Sequence, residues 1–303
     1  MHRILALAPV ALGVATITFA LIHLVPGDPV VAMLGENAQP ADIAGMRHQL
    51  GLDRPLWRQY LTYLGGIARG DLGESLSMRQ PVGRLIAERY PATLELAFAG
   101  LAVAIVIAFP LGIIAGVNPG GIADAGAMSL AILGISVPHL CLGPLLMIIF
   151  SLRLRWLPLT GRGGFSHLIL PAITLGTALA TIIARMLRQS LAQVLAADYI
   201  RTARSKGLSR GAAIIRHGLR NALTPVITLL GLEAGGLLTG SIITEVIFSW
   251  PGLGRLMISA IGNRDYPLVE GCVLAFALSY VVVNTFTDVV YGAVDPRIRL
   301  QRR

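Results

Sequence analysis

The sequence predicts an all-α membrane protein with six transmembrane helices, both termini in the cytoplasm, and a helix-turn-helix on the cytoplasmic side. Of its 303 residues, 54% are hydrophobic and only 14% are charged, whereas a soluble domain carries about 25% charged residues. Apolar runs of about 20 residues, the length that crosses a bilayer, recur along the chain. Arginines are concentrated in a few loops, a pattern that indicates orientation in a membrane.

The predicted spans cover residues 4–25, 93–117, 125–150, 168–187, 223–248 and 267–291. Backbone groups in lipid must form their hydrogen bonds internally, so each span is expected to be helical. The first run is longer than the apolar part of a signal peptide and lacks a cleavage site, so it is expected to stay as a span. Pro110, Pro138 and Pro144 lie inside spans and predict kinks.

The chain divides into a first transmembrane helix at 1–25, an external segment at 26–92 and a five-helix core at 93–303. The external segment carries seven arginines and seven acidic residues and is predicted to be folded. Helical stretches are expected near 40–50 and 55–68, ended by Gly51 and Gly70.

Positive charge fixes the predicted orientation. Eight lysines and arginines lie in 185–222, and further arginines lie at Arg3 and in the tail 297–303. With six spans these regions share one side, and because short basic loops stay in the cytoplasm, that side is cytoplasmic. The segment 26–92 is then external. The net charge of +9 follows from this loop charge and requires no nucleic-acid partner.

Catalytic, metal and cofactor sites find no support in the sequence. The six histidines form no pair at helical ligand spacing, and Cys141 and Cys272 each lie in an apolar run. The stretch 134–138 lacks the closing glycine of a nucleophile elbow. A phosphate-binding loop needs Gly-Lys-Ser or Gly-Lys-Thr, but the only lysine, Lys206, follows a serine and precedes a glycine. ATP hydrolysis is therefore expected in other chains.

The loop 188–222 carries the most informative pattern. Residues 198–206 predict a short helix, with Asp198 near its positive end and Lys206 near its negative end. Gly207 is expected to cap this helix in the left-handed conformation, and Ser209 to N-cap a second helix.

Two interpretations of this loop remain open on periodicity and charge alone. It could be a helix-turn-helix that docks in a groove of a cytoplasmic partner, or a basic helix pair that touches anionic lipid headgroups. In either case Arg210 is expected to be an exposed surface charge.

The run Asp198-Tyr199-Ile200-Arg201-Thr202-Ala203-Arg204-Ser205-Lys206-Gly207-Leu208-Ser209 resembles the coupling loop of binding-protein-dependent ABC permeases, in particular the dipeptide, oligopeptide, nickel and glutathione branch. The resemblance extends over nearly the whole chain through motifs at Pro26–Pro29, Gly51–Leu56, Gly70–Gly73, Pro91–Leu96, His217–Pro225, Trp250–Gly254, Asp265–Pro267 and Asp295–Arg297. Binding-protein-dependent permeases in general have Glu-Ala-Ala where this chain has Arg201-Thr202-Ala203. In this difference the chain resembles the peptide branch.

The resemblance implies a permease subunit of an ATP-driven importer in the bacterial inner membrane. It implies contacts with ATPases through Asp198, Tyr199, Arg201, Thr202, Ala203, Lys206 and Gly207. The implied partners are a second permease subunit, two cytoplasmic ATP-binding subunits, an external solute-binding protein and membrane lipid. The implied solute is a short peptide, with nickel or a nickel chelate and glutathione as alternatives.

Intramembrane carboxylates are functional candidates because burying a charge in lipid is costly. Glu233 lies mid-span among Gly231, Gly235 and Gly236 and is a candidate pathway residue that would favour cationic solutes. The competing interpretation pairs it with an interior polar group such as Arg185 or Asn284. The rival class for the whole chain is an ion-coupled secondary transporter, although no inverted repeat is evident.

Overall fold

The computed structural model describes residues 7–24, 30–31, 39–49 and 51–294. In this part of the chain the secondary structure is helical, apart from an isolated bridge between Glu74 and Pro81. The all-α class is therefore confirmed. Arg3, the motif at 26–29 and the tail from Asp295 onward lie outside the described residues.

The helices are labelled here in chain order. They are α1 (Leu7–Leu24), α2 (Pro40–Gln49), α3 (Leu56–Arg69), α4 (Val82–Val117), α5 (Ile122–Ser136), α6 (His139–Arg153), α7 (Phe165–Ala196), α8 (Asp198–Ser205), α9 (Arg210–Ile247), α10 (Leu253–Gly262) and α11 (Tyr266–Val294). The end of α6 and the stretch Ile214–Leu219 of α9 have the wider π-helical turn.

Four of the described helices are long and apolar enough to cross a membrane, namely α4, α7, α9 and α11. The pair α5 and α6 would add a fifth if it forms one broken span. In α1 the stretch Ala11–Ala20 is apolar. These helices are those of a polytopic membrane protein.

The third predicted span, 125–150, is not one straight helix. Its two halves, α5 and α6, meet at a bend of 96°. The bend lies at Val137 and Pro138, where Val137 has extended backbone angles. Proline disfavours the helical conformation of the residue before it, which explains the break at this position. Pro110, by contrast, lies inside the continuous helix α4.

The helices differ from the sequence predictions at three other places. Helix α4 begins at Val82, so the predicted boundary at 92/93 falls inside a helix. Helix α9 joins the second arm of the predicted helix-turn-helix to the fifth span without interruption. Helix α10 lies in a stretch that the sequence analysis treated as a loop. The predicted helices near 40–50 and 55–68 are present as α2 and α3.

The chain forms two compact units, of which the first contains Met1–Thr93 and Pro251–Val281. Its core joins the start of α4 to α10 and α11 through the buried side chains of Val82, Leu85, Leu253, Leu256, Ala260, Leu268 and Cys272. Thr93 Oγ1 accepts a hydrogen bond of 2.8 Å from the backbone N–H of Leu253. One of the free N–H groups at the start of α10 is thereby satisfied.

Asp265 fixes a loop of the predicted external segment in this first unit. Its Oδ2 accepts hydrogen bonds from Ser75 Oγ at 2.6 Å and from Ser77 N and Oγ at 3.0 and 2.7 Å, and its Oδ1 accepts one from Leu268 N at 3.3 Å. Burial by itself raises the pKa of this carboxyl, but the hydrogen bonds outweigh it and the pKa is lowered. A fully buried carboxylate is tolerated here because donors surround it.

The second unit contains Leu94–Trp250 and Val282–Arg303, and α7 is its most buried helix. Glycines bring the backbones of α4 and α7 together. A Cβ on Gly176 of α7 would lie 2.5 Å from the carbonyl oxygen of Gly100. A Cβ on Gly112 of α4 would lie 2.9 Å from the carbonyl oxygen of Ala184. Small residues allow this close approach of helices in a bilayer.

We expect Gly176→Ala to destabilise the protein, although alanine favours the helix by nearly 1 kcal/mol. The added methyl group would overlap backbone, and overpacking of this kind costs roughly 1–3 kcal/mol. The control is Gly126→Ala in α5, where no atom lies within 4 Å of the new Cβ. Thermal unfolding in detergent measures both variants. Equal midpoints for Gly176→Ala and Gly126→Ala would contradict the close α4–α7 contact.

Candidate functional site

The candidate coupling loop begins where α7 ends. Ala197 has extended backbone angles and separates α7 from α8. In α8 the side chain of Ile200 is buried, with 3% exposure. Asp198, Tyr199, Arg201, Thr202 and the following Lys206 are exposed, whereas Ala203 is half-buried. The candidate residues therefore form an open face on a helix that Ile200 anchors.

Backbone geometry ends α8 and starts α9 within a few residues. The N–H groups of Gly207 and Leu208 bond to the carbonyls of Arg204 and Ala203 at 3.0 and 3.3 Å. Gly207 has a φ of +91° and no atom within 4 Å of a would-be Cβ. Ser209 Oγ then accepts a hydrogen bond of 3.3 Å from Ala212 N. The turn depends on a conformation that glycine adopts freely.

Three contacts brace this loop against neighbouring elements of the second unit. Arg210 Nη2 donates to Asn118 Oδ1 and, at 3.3 Å, to the carbonyl oxygen of Val117. Asn221 Nδ2 donates to Tyr199 Oη at 3.2 Å. A Cβ on Gly218 would lie 3.1 Å from Leu195 Cδ2, so the start of α9 packs closely on α7. Arg210 is exposed as expected, but it ties α9 to the end of α4.

A half-buried ion pair holds the last turns of α7 to the start of α5. Arg188 donates from Nε and Nη2 to Oδ1 and Oδ2 of Asp124, at 2.5 and 2.6 Å. Asp124, 3% exposed, also accepts a hydrogen bond of 2.7 Å from Gly120 N. A bidentate arginine–carboxylate pair has a fixed geometry. The sequence analysis missed this pair, because its two residues are 64 positions apart and no Lys or Arg lies near Asp124 in the sequence.

The loop therefore has an exposed polar face on a braced support. The pair between Asp198 and Arg201 spans 3.5 Å, with both side chains mostly exposed, so it contributes little to stability. It leaves polar groups available to a partner. Ile200 is the buried anchor of α8. Arg210 and Gly218 hold the start of α9 against the end of α4 and against α7.

Glu233 lies mid-way along α9 and is half-buried. It forms no hydrogen bond or ion pair with another described residue, so neither expected partner, Arg185 or Asn284, is bound to it. Asn284 has a buried Oδ1 that is also without a hydrogen bond in the described part of the chain. Gly231 allows close approach of α11, and Thr287 Oγ1 donates to its carbonyl oxygen at 3.1 Å.

The opposite end of the second unit is held by separate contacts. Arg162 and Glu95 form an ion pair of 2.5 Å, and the Arg162 guanidinium lies 5.9 Å from the Trp250 ring centroid. Glu245 is fully buried and accepts from Ser241 Oγ at 3.3 Å. Its backbone carbonyl accepts from Trp250 N at 2.8 Å. Glu245 thus stabilises this end of α9. Among described residues, no group of three His, Cys, Asp or Glu is arranged to hold a metal.

Two sequence profiles match the chain. The profile of the family "Binding-protein-dependent transport system inner membrane component" matches residues 108–300. That of the family's N-terminal membrane region matches residues 1–97. Together they cover almost the whole chain and both compact units.

Curated relatives match over nearly the full length. The chain is 44% identical to the glutathione transport system permease protein GsiC of Salmonella typhimurium (strain LT2), over 99% of this chain and 98% of that protein. It is 44% identical to the di/tripeptide transport system permease protein DppB of Pseudomonas aeruginosa and 42% identical to the dipeptide transport system permease protein DppB of Escherichia coli (strain K12), with the same coverage.

Solved structures share the fold. One is the inward-facing MetNI methionine ABC transporter, with a TM-score of 0.58 and 21% identity over 70% of this chain and 96% of that chain. Another is an amino acid ABC transporter with histidines, with a TM-score of 0.53 and 18% identity over 71% and 94% of the two chains. At such identities the likeness concerns the fold alone.

Proposed function

Because this chain belongs to the family of binding-protein-dependent transport system inner membrane components, it is the multi-pass permease subunit of a bacterial inner-membrane ABC importer, and we propose that it translocates short peptides. Permeases of this family are not enzymes themselves and work with ATP-binding and substrate-binding partners. Because members of this family are subunits of ABC importers, the alternative that this chain is an ion-coupled secondary transporter is excluded.

The proposed assembly contains a second permease subunit, two cytoplasmic ATP-binding subunits and one external binding protein. ATP binding closes the ATP-binding subunits and favours the outward-open state, which accepts solute from the binding protein. Hydrolysis returns the inward-open state. The nucleotide acts through its different affinities for the two states, so a rigid contact must join the ATP-binding subunits to the spans.

The face of α8 is the proposed contact. Asp198, Tyr199, Arg201, Thr202 and Lys206 present exposed polar groups to the partner. The half-buried Ala203 and the cap Gly207 hold the orientation of the helix. The tethers of Arg210 to Asn118 and of Arg188 to Asp124 support this role, because they pass a displacement of α8 into α4 and α5.

The proposed topology has six spans, with both termini in the cytoplasm and the segment 26–92 outside. The five-helix core then runs from 93 to 303 and includes the coupling loop 188–222. The arginine distribution supports this orientation through the positive-inside rule. The described helices contribute α4, α7, α9, α11 and the broken pair α5–α6 to these spans.

Glu233 is the proposed solute contact in the membrane. Its carboxyl group has no partner among the described residues, and a carboxylate in a transmembrane helix needs a countercharge. The ammonium group of a peptide would supply one. The relatives compared above are named for glutathione, dipeptides and tripeptides, which all carry such a group. These names, rather than the charge of Glu233, support peptides over nickel or a nickel chelate.

We expect Gly207→Val to abolish uptake while the subunit stays in the membrane at a near-normal level. At φ of +91° a side chain is strained by roughly 1 kcal/mol or more, and relief of this strain would tilt α8. The control is Gly211→Val, a glycine of the same loop without positive φ and with open space around it. Peptide uptake and copurification of the ATP-binding subunits are measured for both variants. Normal uptake by a stable Gly207→Val protein would rule out α8 as the coupling element and favour the lipid-contact interpretation.

The topology predicts that a cysteine at Gln80 reacts with an impermeant thiol reagent in intact cells. The background lacks Cys141, which is exposed. A cysteine at Ser205, also exposed, is the cytoplasmic control and should react only after the membrane is opened. The opposite labelling pattern at the two positions would reverse the orientation.

We expect Glu233→Gln to reduce the initial uptake of a dipeptide by about tenfold below saturation, because a hydrogen bond to a charged group contributes about 1.5–3 kcal/mol. The change keeps the shape of the side chain and removes its charge. Glu88→Gln is the control, since Glu88 is exposed and paired with Arg84. Uptake by Glu233→Gln equal to that of the control, at equal protein levels, would exclude Glu233 from solute binding.

A further inference from the structure

A cavity of about 280 Å³ lies between α5 and α7, in the half of the second unit that carries the coupling loop. Its walls are Met128, Ala131 and Ile132 of α5 and Thr181, Arg185 and Arg188 of α7. The spacing on each helix places these residues on one face. The cavity is therefore a cleft between two neighbouring helices of a membrane protein.

Specific contacts close the cleft at both ends. At one end Thr181 Oγ1 donates to the carbonyl oxygen of Ala131 at 2.5 Å. At the other end the pair of Arg188 with Asp124 joins the two helices. These two polar contacts fix the distance between α5 and α7 at the ends of the cleft.

The charges on the cleft do not balance. Arg188 is neutralised by Asp124, whereas Arg185 is exposed and forms no hydrogen bond or ion pair with another described residue. Arg185 lies two positions before the cytoplasmic end of the predicted span 168–187, at the level of the lipid headgroups in the proposed topology. Its guanidinium has no partner among the described residues, and anionic headgroups are the countercharge available at this level.

We propose that this cleft binds the phosphate of an anionic phospholipid of the cytoplasmic leaflet, with Arg185 as its principal ligand. A lipid phosphate is a permanent countercharge, whereas a transported solute is present only briefly. Basic pockets between transmembrane helices on the cytoplasmic side are suited to such headgroups. The assignment to the cytoplasmic leaflet rests on the proposed topology.

Apolar side chains beside the cleft provide a path for the acyl chains. Ile132 and Ile135 of α5 are 47% and 45% exposed, and Ile182 of α7 is 37% exposed. Ile132 and Ile135 follow each other along α5 toward the bend at Pro138. An amphiphile with its phosphate at Arg185 would lay its chains along this surface, which a free phosphate ion would leave uncovered.

The test uses the purified importer complex and native mass spectrometry, with phosphatidylglycerol titrated against phosphatidylethanolamine. We expect Arg185→Gln to lower the preference for phosphatidylglycerol about fivefold, the effect of one basic residue near the surface. Arg185→Lys should keep most of the preference. Ile132→Trp, which fills the cleft and keeps both arginines, should lower it. The control Arg216→Gln removes an exposed charge outside the cleft and should change nothing.

Several outcomes would overturn the proposal. Equal lipid preference in the wild type, Arg185→Gln and Ile132→Trp would show that the cleft is not the site. Displacement of the lipid by millimolar inorganic phosphate would indicate a site for free anions. Displacement by a dipeptide would assign the cleft to the solute pathway.

The proposed function and the proposed lipid site are tested by different experiments. Loss of lipid preference in Arg185→Gln supports the lipid site even if peptide uptake persists. Normal uptake by Gly207→Val would remove the coupling role of α8 but leave the lipid titration unchanged. Reversed labelling of Gln80 and Ser205 would move the bound lipid to the other leaflet without moving it from Arg185.

Discussion

The close approach of α4 and α7 is the constraint on which the second unit depends. Gly100 and Gly112 on α4 and Gly176 on α7 remove the side chains that would hold the two backbones apart. In lipid, apolar side chains gain little by leaving their surroundings, so packing contacts of this kind provide much of the association. The result is a buried central helix, α7, against which α5, α6 and α9 pack.

Burial of α7 bears on the proposed coupling loop, which follows directly from the end of this helix. A helix held along its length by backbone contacts moves as a rod, and its end cannot be displaced independently. Arg188 and Arg210 add links from this end to α5 and α4. The short helix α8 is thus joined to several spans at once, which is the arrangement required if a cytoplasmic partner is to move them together.

The parts predicted from the sequence are those governed by local physical chemistry. Apolar runs predicted the four helices α4, α7, α9 and α11, which are long and apolar enough to cross a membrane, and the broken pair α5–α6. A glycine between two helical patterns predicted the left-handed turn at Gly207. The bend at Pro138 was predicted only as a kink, because its angle depends on how α6 packs against α9, where Gly143 lies beside Ile247. The pair of Asp124 and Arg188 joins residues 64 positions apart, and no pattern along one chain fixes such a contact. Helix α10 was missed because its apolar residues are too few to predict a span.

The charged residues discussed in the second unit form two groups, those with an ion-pair partner and those without one among the described residues. Asp124 and Arg188 are paired between α5 and α7, and Glu95 of α4 is paired with Arg162 in the loop before α7. These pairs fix the structure. Glu233 and Arg185 have no partner among the described residues. Glu233 lies mid-way along α9, and Arg185 lies near the cytoplasmic end of the predicted span 168–187. A charge without a partner in a span is costly, so both residues are candidates for contact with a molecule outside the chain. The two are of opposite sign and lie on different helices, α9 and α7, and the structure does not pair them with each other. In the two proposals made above, a peptide ammonium group is the cation at Glu233 and a lipid phosphate is the anion at Arg185.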